Sequence, residues 1–500
     1  MPSYNLTERS WIPVLLKDGT STEVSLLGAI EGASGIARIS GNPLEAAVLH
    51  RLLLAIALRV SAPKDPGEWL KLWADRGALM HAMSNYLRAN TEAFDLYSRE
   101  RPFAQNPRLP PPTRTPAELV YERARGNNPV FLDGSVVADP KTLSSDQAAR
   151  SLLVAHAFGG SGTGGLNPLN GNKKDTMYAG PLCARMIALL EGEDLSETLL
   201  LNLTVGQKAG QPCWERTQKD TPMQTRPEGL CDLYTRATRN ILLEPSPDGE
   251  YCERVVIAMG ESVLSEEGSD DDPLIPRYFS KVDKKFKALR VNPAKALWRN
   301  SQVLLVPEAT DVEKPLASIA LLRVLIISRG AMKERGEIRL RAIGVAANAQ
   351  GPVTDLWLDE SLSFSLGLFS PGNGYQSLLS LVEKAESEAN TLRRQLSTFA
   401  ARYVSNGGGS PDPKDLSRLI EEICPGLNSY WMSLAPEGER LALDPPEPEA
   451  WNKRVVKVRQ RAYQEAIDQL PVDGRRLRAQ FSQQNVDDKE EKRKKEKQTI

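Results

Sequence analysis

Histidine is almost missing from this chain: His50, His81 and His156 are all that 500 residues contain. No H-E-x-x-H pair, G-x-S-x-G elbow or H-x-E…C-x-x-C set occurs. That removes the usual zinc-protease, serine-hydrolase and nucleobase-deaminase patterns. His50 lies in an apolar helical stretch and reads as core. His81 falls on a polar helical face, and His156 precedes a glycine-rich segment as a hydrogen-bonding group. Carboxylates are plentiful but form no motif, so no catalytic residue is assigned and a non-enzyme is expected. Cysteine is scarce too. Cys183, Cys213, Cys231, Cys252 and Cys424 never fall at C-x₂₋₄-C spacing, which argues against structural zinc. They read as reduced, mostly buried thiols of a cytosolic protein, and no metal or cofactor is expected. Long hydrophobic runs are absent as well. The longest, Leu52–Leu58, is too short for a bilayer, and Met1–Arg9 does not read as a secretory leader. A cytoplasmic protein with no membrane partner is expected. Finally, excess charge is missing: 63 basic and 64 acidic residues give a formal net charge of −1. A free-standing nucleic-acid binder is usually basic. Any polyanion is therefore met through local patches or within an assembly.

What the chain does have is glycine in one place. Phe158-Gly159-Gly160-Ser161-Gly162-Thr163-Gly164-Gly165 exposes backbone N–H groups and lets another backbone come close. Its natural partners are phosphates or the sugar edge of a groove. Gly160-x-Gly162-x-x-Gly165 formally matches a dinucleotide fingerprint, but Leu166-Asn167-Pro168 is a poor helix opening and no G-K-[ST] follows. A nucleotide-binding enzyme and a plain surface loop both stay open on these residues alone.

Periodicity and breakers give the organisation. Trp11–Val14 reads as a strand entering the Lys17-Asp18-Gly19 turn. Leu44–Val60 is an apolar helix opened by Asn42-Pro43, and Pro66–Ala89 reads as one more helix. Arg108–Pro112 is a proline-rich linker. Thr198–Val205 is a short apolar run, Arg239–Glu244, Arg254–Met259 and Ile338–Ala347 read as strands, and Ser265–Asp272 as an acidic solvated loop. Leu316–Ser328 is mainly apolar. After the Ser370–Gly374 breaker, Tyr375–Val404, Lys414–Ile423, Leu427–Leu434 and Pro448–Gln469 carry helical spacing. The expected fold is α+β: a mixed N-terminal domain over 1–369, a four-helix bundle over 370–486, and a charged, disordered tail over 487–500.

Two further loops carry candidate chemistry. Asn127–Ser135 is turn-rich and holds Phe131, either an anchor to the core or a platform for a single-stranded base. Asn348-Ala349-Gln350-Gly351 is either a plain turn or a set of amides that bond base edges or wedge between base pairs. Arg277, Lys281, Lys284, Lys285, Lys287 and Arg290 alternate with Tyr278, Phe279 and Phe286. Lys453, Arg454, Lys457, Arg459 and Arg461 make a second basic run. Both are solvated faces or phosphate contacts.

Together these features resemble the CasA family, the large subunit of the type I-E CRISPR surveillance complex Cascade. Trp11–Val14 is similar to the family's opening strand, Arg101–Gln105 to its P-F-x-Q turn, and Leu199–Val205 to its L-L-N-L strand. Gln211–Glu215 and Ala296–Arg299 fit in order, and so do the C-terminal helices. The resemblance implies a non-catalytic subunit that reads the protospacer-adjacent motif in double-stranded DNA and starts R-loop formation. It also implies contact with the guide RNA 5′ handle and help in recruiting the helicase-nuclease. By position, Phe131, Leu132 and Asp133 fall on the loop that meets the guide RNA. Phe158, Gly159, Gly160, Ser161 and Gly162 fall on the loop that approaches the motif duplex from the minor groove. Asn348, Ala349 and Gln350 fall on the wedge turn, with Gln350 splitting the first base pair. Relatives carry a lysine near the end of the strand that here reads Val256–Glu261, which has no basic residue. That contact is lost or supplied from Lys281, Lys284 and Lys285. Some relatives also carry a cysteine cluster resembling a zinc knuckle, where this chain has only Cys252. A scaffold that only bridges subunits is the competing expectation.

Overall fold

In the computed structural model the central element is the helix Pro43–Val60, whose residues from Leu44 to Leu58 are buried except half-buried Glu45. A helix apolar on every side has to lie inside a core. The Asn42 side chain accepts the Leu44 N–H and Pro43 occupies the first turn, so the start seen in the sequence is the start in space. The structure describes residues 2–121, 142–216, 223–264, 272–329, 336–347, 354–369, 374–405 and 410–480.

The chain divides into two compact units. One holds residues 1–297 and 302–362; the other holds 298–301 and everything from 363 onward. The first is mixed α and β. Around the central helix pack the helices Arg76–Ala89, Ser145–Phe158 and Leu230–Thr235 and the strand Glu337–Ala347. The strands form small sheets. Ile12–Leu16 lies between Ser21–Val24 and Ile36–Ile39, and Tyr251–Met259 lies between Leu143–Ser144 and Arg239–Pro245. Glu337–Ala347 lies between Thr354–Ser365 and Met186–Glu191.

Three local expectations change. Pro66–Ala89 is two helices, Pro66–Ala74 and Arg76–Ala89. Asp75 closes the first and caps the second by accepting the Ala78 N–H at 3.0 Å. The segment resembling an L-L-N-L strand, Leu199–Val205, is not a strand: it begins as the end of a helix, Leu195–Leu201, and leaves it at Asn202. Asp194 accepts the Glu197 N–H while the Glu197 carboxylate accepts the Glu193 N–H, a reciprocal cap that starts a helical turn. Asp272, expected in a solvated loop, is buried and pairs with Arg51 of the central helix at 2.8 Å. Arg51 also donates to the Leu233 carbonyl and lies over the Tyr234 ring. The rest of Ser265–Asp272 lies outside the described residues.

The second unit is helical: Gly374–Ser405, Pro413–Ile423, Pro425–Gly438 and Pro448–Asp468. The long helix buries Leu378, Val382, Ala385, Ala389, Leu392, Leu396 and Phe399, one stripe at three- and four-residue spacing. Tyr430 and Trp451 donate to the Ala385 and Leu381 carbonyls on that stripe, both at 2.8 Å. Trp298 is the piece of earlier chain set into this unit. Its ring lies so close to Gly438 that a Cβ there would come within 2.4 Å of it.

Candidate nucleic-acid interface

The glycine segment begins where a buried helix ends. Ser145–Phe158 buries every residue from Ala148 to Phe158, and Phe158 itself is 1% exposed, its ring edge-on to Tyr121. Phe158 therefore anchors the segment, and what reaches solvent begins after it. Gly159 is required by close approach. A Cβ there would lie 2.6 Å from the Ala155 carbonyl oxygen and 2.8 Å from Arg239 Nη2. That guanidinium, 3% exposed, donates to the Gly160 carbonyl at 2.8 Å. On the other side the Gly159 carbonyl accepts the Gly180 N–H at 2.7 Å.

His156 braces the same corner. Its Nδ1 faces the Arg239 N–H at 3.3 Å, so Nε2 carries the proton and donates to the Ala104 carbonyl at 2.9 Å. Burial pulls its pKa down to about 4, and the ring stays neutral. Ala104 belongs to the Arg101–Gln105 turn, whose Phe103 stacks with Phe94 and Trp214. Gln105 donates to the Leu96 carbonyl and accepts from the Leu243 N–H. Arg101 donates to the Trp214 carbonyl. The two family-like segments at 101–105 and 211–215 thus meet and support the base of the glycine segment.

From this base Gly160 is half-exposed, while Ser161 and Gly162 are exposed. Gly162–Asn167 then forms a strand paired antiparallel with Lys173–Met177, Gly162 opposite Met177 and Asn167 opposite Lys173, with a shift of register between Thr163 and Leu166. The turn between them uses Pro168–Asn170 and Gly171 at φ 62°. Leu169, like Leu242, packs against the cluster of Leu109, Val256 and Ala258, pinning the tip. A helix before the glycines and a strand after them is the reverse of the dinucleotide-binding order, so the formal fingerprint lacks its context. Sequence reasoning missed the partner strand. Its signal was Asn170-Gly171 followed by Lys173-Lys174, a hairpin turn leading into two cations.

The basic run at 277–290 is also a hairpin, Arg277–Ser280 with Lys285–Ala288. Phe279 and Phe286 face each other across it with ring centres 5.5 Å apart. Lys281, Lys284 and Lys285 are exposed around its turn, whereas Lys287 pairs with Asp283 at 2.6 Å. In the last helix Arg454, Arg459 and Arg461 pair with Glu437, Glu388 and Glu465. That run is therefore largely neutralised by its own surroundings. Phe131, Leu132 and Asp133, and Asn348, Ala349 and Gln350, lie outside the described residues; the strands flanking the second group, Glu337–Ala347 and Thr354–Ser365, are neighbours in one sheet. Among the described residues no group of three or more His, Cys, Asp or Glu could hold a metal. Cys213, Cys231 and Cys252 are pushed by burial up to about 12, which makes them poor nucleophiles.

Known proteins resolve the class. The fold matches solved CRISPR-associated proteins along nearly its full length. The crystal structure of CasA from Thermus thermophilus matches at TM-score 0.78 and 24% identity over 96% of this chain and 98% of that one. Cse1 from Acidimicrobium ferrooxidans matches at TM-score 0.75 and 24% identity, over 97% and 98%. A chain of a CRISPR RNA-guided surveillance complex matches at TM-score 0.78 and 21% identity, over 97% and 99%. In sequence, the CRISPR-associated protein CasA/Cse1 of Thermus thermophilus is 30% identical over 458 residues, covering 87% of this chain and 86% of that protein. The family described as CRISPR-associated protein Cse1 matches residues 5–464. The chain belongs to this Cse1 family, also called CasA, the family of the large Cascade subunit in CRISPR antiviral defence.

Proposed function

We propose that this chain is the Cascade subunit that reads the protospacer-adjacent motif in double-stranded DNA and begins to open the duplex. In this reading residues 370–486, a four-helix bundle, follow the motif-reading domain along the chain. The observation that carries the reading is the strip from half-exposed Gly160 to exposed Ser161 and Gly162, held from below by Arg239, Phe158 and the Gly180 N–H. A rigid strip without bulky side chains fits the shallow information of a minor groove, where close approach matters more than side-chain variety. Gln350 then wedges into the first base pair beyond the motif, with Asn348 and Ala349 shaping the turn. Phe131, Leu132 and Asp133 contact the guide RNA 5′ handle. Lys281, Lys284 and Lys285 contact phosphates. The helicase-nuclease joins once the R-loop has formed. In this reading the chemistry stays with that partner.

The test is a pair of variants in reconstituted Cascade. Gly160→Asp puts a carboxylate into the groove and abolishes motif-dependent docking. Gln350→Ala leaves docking in place and slows strand opening, read by fluorescence of a base analogue beside the motif. Normal R-loop formation by both variants supports a scaffold instead.

A further inference from the structure

The glycine strand has a partner whose outer face is not used by the fold. Along Lys173–Met177, Lys173, Lys174 and Thr176 are exposed, while Asp175 and Met177 are half-buried. Alternation along a strand puts Lys174 and Thr176 on one side, with Tyr178, 36% exposed, next in the series. Asp175 and Met177 are on the other, where Asp175 accepts from the Asn167 side chain at 2.5 Å. Lys174 lies opposite Leu166, one ladder position from the Lys173–Asn167 pair. Its side chain has no ion-pair or hydrogen-bond partner among the described residues. A Cβ on Gly162, which lies opposite Met177 and so on the other side of the hairpin from Lys174, would meet nothing within 4 Å.

We infer that Lys174 is a DNA phosphate contact, the charged wall beside the glycine strip. The inference rests on the motif-reading role proposed above. The hairpin is held on the body of the domain through its tip, which packs on Val256 and Ala258. A lysine placed on the rigid hairpin that carries the glycines meets the sugar-phosphate edge of the same groove. It adds affinity without reading a base.

The test uses reconstituted Cascade and short duplexes bearing either an intact or a scrambled motif, titrated at several salt concentrations. Lys174→Ala is expected to weaken both duplexes by the same factor, roughly 3- to 10-fold, and to lower the slope of log K against log salt by about 0.9. Lys174→Arg keeps the charge and restores both values, which separates loss of contact from misfolding. Unchanged affinity and slope in Lys174→Ala overturn the inference. So does a loss confined to the intact motif with no change of slope. Failure of the motif-reading role shows separately, as equal binding of intact and scrambled duplexes by the unaltered complex.

Discussion

Gly159 and Arg239 set the shape of the candidate interface between them. The glycine leaves room for a guanidinium that would otherwise collide with its Cβ, and the guanidinium holds the next carbonyl. Gly159→Ala should therefore destabilise the protein by about 1–3 kcal/mol, because both neighbours are backbone or a buried side chain. Ser161→Ala, on the exposed part of the strip, should stay within about 0.5 kcal/mol. Denaturant titration of the two variants checks the contrast, and equal effects would contradict it. A second residue-scale case is Asp232, which is fully buried. It accepts from Arg236 at 2.5 Å and from Arg216, while Arg216 also reaches Glu261 at 3.0 Å. Asp232→Ala takes one carboxylate from two arginines in a low-dielectric interior, leaving Glu261 as their remaining acidic partner, and should cost about 3 kcal/mol, read by the same titration.

At the scale of elements, the sequence was most legible where a single pattern decided the outcome. The helices Pro43–Val60, Gly374–Ser405 and Pro448–Asp468 follow from caps and apolar periodicity, and the short apolar runs read as strands at Arg239–Glu244 and Arg254–Met259 are the strands Arg239–Pro245 and Tyr251–Met259. It was less legible where two signals competed. The L-L-N-L run was expected as a strand, but the Asp194–Glu197 cap starts a helix that takes its first leucines and ends at Leu201. The glycine segment looked like an isolated loop because half of it pairs with a strand further along the chain, and pairing partners are not written in local periodicity. Asp272 looked solvated because its partner, Arg51, lies 221 residues away. Trp298 and Gly438 are a similar long-range pair, legible only in space. Gly438→Ala drives a Cβ into the Trp298 ring and should lower the melting temperature of the protein. Adding Trp298→Leu, which shortens the obstructing side chain, should recover part of that loss. No recovery in the double variant would contradict the contact.

For the molecule as a whole, two neutral histidines tie stability to pH. Burial lowers His50 and His156 from the ordinary 6.5 to about 4, and His50 donates from Nδ1 to the Ala46 carbonyl at 2.7 Å. The unfolded chain takes up both protons as pH falls below 6.5, whereas the folded chain does not until about 4. Their contribution is fully present above the unfolded value and is lost through that window, up to roughly 3 kcal/mol for each. Unfolding free energy should thus drop steadily on acidification across that interval. A flat profile would show that the two rings are charged or exposed in the native protein. The central claim, that this subunit confers motif recognition, concerns the assembly. Its most direct test is target binding by Cascade reconstituted with and without this chain, at one fixed salt concentration, against duplexes with intact and scrambled motif. The account predicts that preference for the intact motif appears only when the chain is present. Equal preference without the chain, or none with it, would contradict the account.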